Sequence, residues 1–357
     1  MDFKIAVIKG DGVGPEIIDE GIKVLKKIGE VYNHKFEFRY ALGGGDAIDK
    51  MGTPLPEESL DICRDSQAVL LGAVGGPKWD NVNGDIRPEK GLLRLREELG
   101  LFANLRPVNV YESIKEISPL KIDRLKSKVD FVVVRELTGG IYFGERGTSI
   151  IDGVSEAYDV EKYTEKEIRR IGKMALDIAS RRRKKLISVD KANVLESSRL
   201  WRSIIDDLSK EYKDVEVRHM YVDNAAMQLI KDPSQFDVIL TNNIFGDIIS
   251  DEASMITGSI GMLPSASLRN DSFGMYEPIH GSAPDIAGKG IVNPIATILS
   301  ASMLLRHSLN LNRESDSIDK AVQEVLSKGY RTEDIYEGYG IKVSTKEMGD
   351  LISNHIK

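Results

Sequence analysis

Residues 236–254 read FDVILTNNIFGDIISDEAS, and the step from apolar run to acid pair decides how the rest of the chain is built. Phe236 to Leu240 is a short apolar run of the kind that forms a buried strand. Asn242 to Gly246 reads as a turn, and Asp247 onward as the first turns of a helix. Strand, turn and helix in that order predict an α/β fold. Asp247 and Asp251 stand four residues apart and share one helix face. Placed near the positive end of the helix, both are expected to be ionised. Two like charges at this spacing repel unless a cation lies between them, and hard oxygen ligands suit Mg²⁺ or Mn²⁺. The plainer alternative is one acid favoured by the helix dipole and a solvated Asp251.

Other apolar runs end in the same way. Val129 to Val134 (VDFVVV) has the continuous apolar character of a strand buried on both faces, and Arg135 terminates it. Lys191 follows LISVD (Leu186 to Asp190), and Asp223 follows VRHMYV (Val217 to Val222). Ligands of open α/β sheets bind outside the carboxyl ends of the strands, so charged residues beyond successive strands point to one common cleft.

The 357 residues exceed one ordinary core and predict two domains, while 41% apolar and 29% charged residues describe a folded, water-soluble chain. A net charge of −7 disfavours a nucleic-acid surface. The one basic run, Arg181 to Lys185, closes a helical pattern and reads as a solvated helix end. Cys63 is the sole cysteine, which excludes an internal disulfide and a cysteine-rich zinc site. No stretch approaches the roughly 18 apolar residues of a membrane span, and the chain opens on a strand pattern. No membrane is therefore expected, and the cytoplasm is the default location.

Near the start, Lys4 to Ile8 alternates as a strand, and KGDGVGPEI leads into a helix with Ile17, Ile18, Ile22, Leu25 and Ile28 on one face. Gly10, Gly12 and Gly14 suggest a Rossmann fingerprint, but the spacing is GxGxG and the next strand, Phe36 to Tyr40, lacks the acid that would hold a ribose. The glycines are read instead as allowing close backbone approach to a ligand. Gly91 to Leu99 reads as a helix with Leu92, Leu93 and Arg96, and Asn104 to Val110 as a strand carrying Arg106. The stretch from Tyr142 to Tyr163 has hairpin character about Asp152 and Gly153 and reads as an arm that needs a partner surface. MYEPIHGSAPDIAGKGIVNP, with three glycines and three prolines, reads as a long functional loop. Asn293 and Pro294 then start an apolar helix, and Ser344 with Glu347 forms a capping box for the last one.

GDGVGPE, GAVGGPKWD, LRxxLxLFANLRP, VRELTGGIYFG, DKANVL, YVDNAAM, TNNIFGDIISDEAS and EPIHGSAPDIAGKGIVNP follow one another along the chain. Together they resemble, nearly end to end, the isopropylmalate/isocitrate family of β-decarboxylating dehydrogenases. The resemblance implies two open α/β domains and no Rossmann fold. The first (1–101 and 258–357) binds the nucleotide; the second (102–257) serves dimerisation, substrate and metal, with its arm near 142–163. It implies a small-molecule substrate and a homodimer with shared active sites, Arg96 and Tyr142 coming from one chain, Lys191 and Asp223 from the other.

The same resemblance makes Arg96, Arg106 and Arg135 the binders of a dicarboxylate, as bidentate guanidinium–carboxylate pairing would suit. It makes Asp247, Asp251 and the other chain's Asp223 ligands of Mg²⁺ or Mn²⁺, Lys191 the general base with a pKa lowered by its cationic neighbours, and Tyr142 the proton donor. NAD is the implied cofactor, with Asp285 at the ribose, Asn293 at the adenine, and His280, Gly281, Ser282, Ala283 and Ile286 shaping the site. Leu92, Leu93 and Val194 would form an apolar pocket that favours 3-isopropylmalate over isocitrate, homoisocitrate, tartrate or D-malate. A noncatalytic regulatory homologue would be expected to lack a ligand, the lysine or the tyrosine, and all are present.

Overall fold

A computed structural model describes residues 1–82, 86–125 and 127–357. The chain divides into two compact units: Met1–Leu101, Tyr111–Pro119 and Thr257–Lys357 form the first, Phe102–Val110 and Leu120–Ile256 the second. The first unit begins β1 (Asp2–Gly10), α1 (Gly14–Tyr32), β2 (Lys35–Ala41), α2 (Gly45–Met51), α3 (Glu57–Arg64), β3 (Ala68–Ala73) and α4 (Pro88–Glu98). The second unit contains β4 (Ala103–Asn109), β5 (Asp130–Glu136), β6 (Arg146–Ile151), β7 (Val154–Asp159), α5 (Glu165–Ser180), β8 (Lys185–Asp190), α6 (Glu196–Ser209), β9 (Glu216–Tyr221), α7 (Val222–Lys231), β10 (Val238–Thr241) and α8 (Asn243–Ile256). The chain then returns to the first unit with β11 (Pro264–Leu268), β12 (Gly274–Pro278), α9 (Ile295–His307), α10 (Asn312–Ser327), β13 (Tyr330–Arg331), β14 (Ile341–Lys342) and α11 (Thr345–His355).

In the first unit the strands lie in the order β2-β1-β3-β12-β11, parallel except for the β12–β11 pair. Every residue of β3 is buried, as a central strand covered on both faces must be. The apolar stripe of α1 is buried along its length, and Pro15 sits in the first turn, where its missing N–H costs nothing. By contrast α9 is buried almost all round between α1, α10 and the β11 and β12 strands, so its sequence carries no polar face. Gly274 to Pro278 is a buried strand, so MYEP belongs to the sheet, and the irregular segment begins only after it. The sequence pattern misses this because Gly274 and Pro278 punctuate both ends of a short run. The capping box of Ser344 and Glu347 at α11 is present.

In the second unit the order is β4-β5-β10-β8-β9, with β4 antiparallel to β5 and the rest parallel. Strands β5, β8 and β10 are buried, whereas β9 is a half-exposed edge strand in which Glu216, Arg218 and the adjacent His219 bring polar groups into the run. The arm is a separate two-stranded hairpin whose turn residues, Asp152 and Gly153, have φ of 51° and 78°. Positive φ at both central positions matches the right-handed twist of the paired strands.

Arg181, Arg183, Lys184 and Lys185 of the basic run are exposed, but Arg182 is not part of a solvated helix end. Helix α5 stops at Ser180, and Arg182 turns inward, donating to the buried Asp237 at 2.9 Å, to the Asp130 carboxylate at 2.7 Å and to its carbonyl at 2.9 Å. Arg183 donates to the carbonyls of Asp130, Ser234 and Phe236. These arginines clamp the starts of β5 and β10. Burial pushes the Asp130 carboxyl up, but the hydrogen bonds from Arg182 and Lys128 outweigh it and hold the group below the usual range.

Candidate active site

Helix α8 begins at Asn243, four residues before the turn-to-helix boundary expected from sequence. Asn242 caps it: its side-chain oxygen accepts the N–H of Phe245 at 2.9 Å, and its carbonyl accepts that of Gly246 at 3.0 Å. Asp247 and Asp251 therefore lie in the second and third turns, where the helix dipole has faded. What neutralises them is a pair of arginines. Arg106, in the middle of β4, donates to Asp251 at 2.9 Å and lies 3.5 Å from Asp247. Arg135, within β5 and not beyond its end, pairs with Asp247. Both guanidiniums are themselves held, Arg106 by Asn104 at 2.8 Å and Ser250 at 2.6 Å, Arg135 by Asn243. Gly246 makes the approach feasible, since a Cβ there would stand 2.6 Å from Cγ of Arg135.

Tyr142 ends a 3-10 turn, Gly140–Tyr142, and its hydroxyl donates to Asp247 at 3.0 Å. Loss of hydration and then the Asp247 charge push its pKa upward, so the phenol keeps its proton. Partial burial likewise raises the Asp251 carboxyl, against the pull of Arg106. The arrangement holds two carboxylates, two guanidiniums and a phenol in one patch.

Lys191 follows β8 directly, and Asp223 falls in the first turn of α7, which starts without a gap after β9. The two pair at 2.7 Å, and the hydrogen bond from Lys191 lowers the Asp223 pKa. The neighbour of Lys191 in this chain is thus an anion, in place of the arginines expected around it. Among the described residues no three His, Cys, Asp or Glu side chains converge to hold a metal. The structure accordingly shows two constellations in the second unit, Arg106–Arg135–Tyr142–Asp247–Asp251 and Lys191–Asp223.

Two further groups lie in the first unit. On α4, Arg96 donates to Glu277 of β12 at 2.9 Å; Leu92 packs partly against the apolar core of this unit, and Leu93 is half-buried. Val194 belongs to the second unit and is 61% exposed. In the irregular segment after β12, Ser282 is buried and its carbonyl accepts the N–H of Val13 at 2.8 Å. Gly12 makes that contact feasible: its φ is +56° and a Cβ would stand 2.0 Å from the Ser282 oxygen. The close approach expected of the glycine loop is therefore to Ser282. Ile286 packs on Val13, Ile17 and Val292, while Gly281 and Asp285 are exposed and Ala283 has a positive φ of 37°. His280 donates from Nδ1 to the carbonyl of Gly281 at 2.9 Å, and burial pushes its pKa down. Asn293 is buried, donating to Asp334 at 3.0 Å and accepting from Ile295 at 3.0 Å at the start of α9.

Sequence reasoning missed Asp11. Its buried carboxylate accepts the backbone N–H groups of Gly45, Asp46 and Gly75, each at 2.8 Å, and so ties three loops together. Also missed is Glu16, in the first turn of α1, which accepts from Gly288 and Gly290 and anchors the irregular segment to that helix. An acid flanked by glycines was the signal for the first; nothing local marks the second.

Arginines set around an acid pair on a mixed sheet are an arrangement suited to an α/β enzyme. The model of the isocitrate/isopropylmalate dehydrogenase family matches residues 4–352, and the chain belongs to that family. The 3-isopropylmalate dehydrogenase of Clostridium pasteurianum is 61% identical over 98% of this chain and 98% of its own. That of Aquifex aeolicus is 58% identical over 99% and 97% respectively. Among solved structures, isocitrate dehydrogenase of Methylococcus capsulatus is similar with a TM-score of 0.88 at 35% identity, covering 99% of both chains. A β-decarboxylating dehydrogenase of Thermococcus kodakarensis in its apo form gives 0.81 at 37%, covering 99% of this chain and 96% of that one.

Proposed function

We propose that this enzyme oxidatively decarboxylates 3-isopropylmalate to 2-oxo-4-methylpentanoate, with NAD as hydride acceptor and Mg²⁺ or Mn²⁺ bound, as a step of leucine biosynthesis in the cytoplasm. The observation that carries the reading is the Arg106–Arg135–Tyr142–Asp247–Asp251 cluster in a chain 61% identical to the 3-isopropylmalate dehydrogenase of Clostridium pasteurianum. No helix among the described residues is long and apolar enough to cross a membrane.

Two carboxylates on one helix face offer hard oxygen donors, which fits a divalent cation but supplies too few ligands from one chain. Asp223 of the partner subunit would add the third, consistent with its separation from the acid pair within this chain. When bound, the cation would lower the pKa of the substrate hydroxyl and stabilise the enolate left as CO₂ departs. Arg96, Arg106 and Arg135 would then move their charge from Glu277, Asp251 and Asp247 to the substrate carboxylates, an exchange of one anion for another that leaves no guanidinium stranded. The partner subunit's Lys191 would take the hydroxyl proton during oxidation at C2, for which bound NAD would supply the hydride acceptor. The carboxylate on C3 leaves as CO₂, and Tyr142, still protonated, delivers its proton to C3.

A homodimer fits two exposed apolar faces. The hairpin presents Ile150, Val154 and Tyr158, and α7 with α8 presents Met227, Ile230, Ile248 and Met255. A second copy of the chain would cover both.

Substrate choice is tested with purified enzyme, Mg²⁺ and NAD against a panel of 2-hydroxy-3-carboxy acids. Leu92, Leu93 and Val194 offer a γ-alkyl group an apolar surface and a γ-carboxylate no partner, so 3-isopropylmalate is expected to exceed isocitrate at least 100-fold in kcat/KM, about 3 kcal/mol. Equal turnover of isocitrate would overturn the assignment in favour of the activity that the Methylococcus neighbour's name states. For the cofactor, Asp285 accepts from both ribose hydroxyls and repels a 2′-phosphate, so NAD is expected to be preferred over NADP by about tenfold or more. Asp285→Lys should narrow that gap, and equal efficiency of the two cofactors in the wild type would refute it.

The glycine loop offers a further check. Gly12→Ala drives a methyl group into the Ser282 carbonyl at a left-handed backbone position, so the 280–290 segment must shift. Its Kd for NAD, followed by fluorescence titration, should rise by about tenfold or more, about 1.4 kcal/mol. An unchanged Kd would remove this segment from the cofactor site.

A further inference from the structure

We propose that Asn243 is a positioning residue that sets Tyr142 and Arg135 in register with the acid pair of α8. This rests on the roles given above to Tyr142 and Arg135. Asn243 is the first residue of α8 and is 1% exposed. Its side-chain oxygen accepts from Nε and Nη2 of Arg135 at 3.0 and 2.8 Å, and its side-chain nitrogen donates to the carbonyl of Gly139 at 3.1 Å. A guanidinium only donates and a carbonyl only accepts, so the amide fits in one orientation. One side chain thereby joins β5, α8 and the residue just before the turn that carries Tyr142.

The turn is flat against its supports. A Cβ on Gly139 would stand 2.6 Å from the Tyr163 ring, and one on Gly140, whose φ is +75°, 2.5 Å from the Tyr163 hydroxyl. That hydroxyl accepts the backbone N–H of Asn243 at 2.9 Å, so the ring under the turn and the helix start are tied to each other. On the opposite side the N–H of Gly139 donates to the buried Glu136 at 2.8 Å. Gly139 is thus gripped at its N–H by β5 and at its carbonyl by α8. Tyr142, three residues on, reaches Asp247 one turn along the same helix. No other side chain of similar size replaces this amide. Aspartate keeps the acceptor for Arg135 but faces the Gly139 carbonyl with a second acceptor, serine is too short for both, and glutamine is one methylene too long.

The two grips come apart in the variants. In Asn243→Asp the Arg135 grip survives and the Gly139 grip is lost. Amide hydrogen exchange should then rise about tenfold or more in the 138–145 segment, with β5 and the later turns of α8 unchanged. The kcat should fall about tenfold or more with KM within about threefold. Asn243→Ala loses both grips, so KM rises as well. Asn243→Ser brings no charge into the interior and is read in parallel, giving the same exchange pattern if the aspartate variant proves too unstable to purify. Wild-type exchange at 138–145 in the folded variants would overturn the proposal, as would uniformly faster exchange across the second unit, which marks a merely structural role. Tyr142→Phe separates this from the parent reading. Full activity there refutes the proton-donor role of Tyr142, while the exchange data still decide whether Asn243 holds the turn.

Discussion

Asp247→Asn and Lys191→Ala, each inactive alone, are expected to regain about a quarter of wild-type activity when unfolded together and refolded. With random pairing about half the dimers are mixed, and each mixed dimer has one site with both defects and one with neither. The expectation follows from the geometry of the second unit, where Asp247 sits among Arg106, Arg135 and Tyr142 while Lys191 is paired with Asp223 in a separate constellation. Both substitutions lie within one folded unit, so the result reports on exchange between subunits. If Lys191 served the acid pair of its own chain, every site in the mixture would carry a defect. No recovery, with mixed dimers confirmed by mass spectrometry, would end the shared-site reading.

Arg182→Met is expected to cost about 3 kcal/mol, lowering the unfolding midpoint of the second unit by about 6–12 °C. The cause is the partner left behind: Asp237 has no exposed side-chain surface and takes its 2.9 Å hydrogen bond from Arg182. Arg183, at 3.6 Å, compensates only in part. Adding Asp237→Asn should recover at least about 1 kcal/mol, because the loss is chiefly that of an unpaired buried charge. If scanning calorimetry finds the single variant as stable as wild type, the run closes the helix as a solvated end after all.

That basic run shows where a sequence is silent. Five consecutive cations after a helical pattern look alike whether they meet water or a buried acid, because the acid, Asp237, is over fifty residues away. The α8 boundary failed for a different reason. Asn242 and Asn243 carry good turn propensity, and only the cap geometry shows that the first ends the turn and the second is already helical. What was legible rested on local periodicity: the buried strands, the face of α1, the hairpin turn, the capping box and the i, i+4 spacing of the two acids. The arginines could be named from the motifs. Their remote partners, Glu277 for Arg96 and Ser250 for Arg106, could not, because those pairings cross between elements far apart in the chain.

The split of the first unit between the two ends of the chain has a consequence during synthesis. Translation delivers the whole second unit while about a hundred residues remain to be made, roughly 5–20 s of elongation. Throughout that interval β3 has emerged without its neighbour β12, and α1 without α9 and α11, leaving strands such as Val69–Leu71 uncovered on the nascent chain. An apolar strand edge in that state is a template for unwanted pairing. Residues 1–101 are therefore the stretch expected to gain most from chaperones that bind at the ribosome.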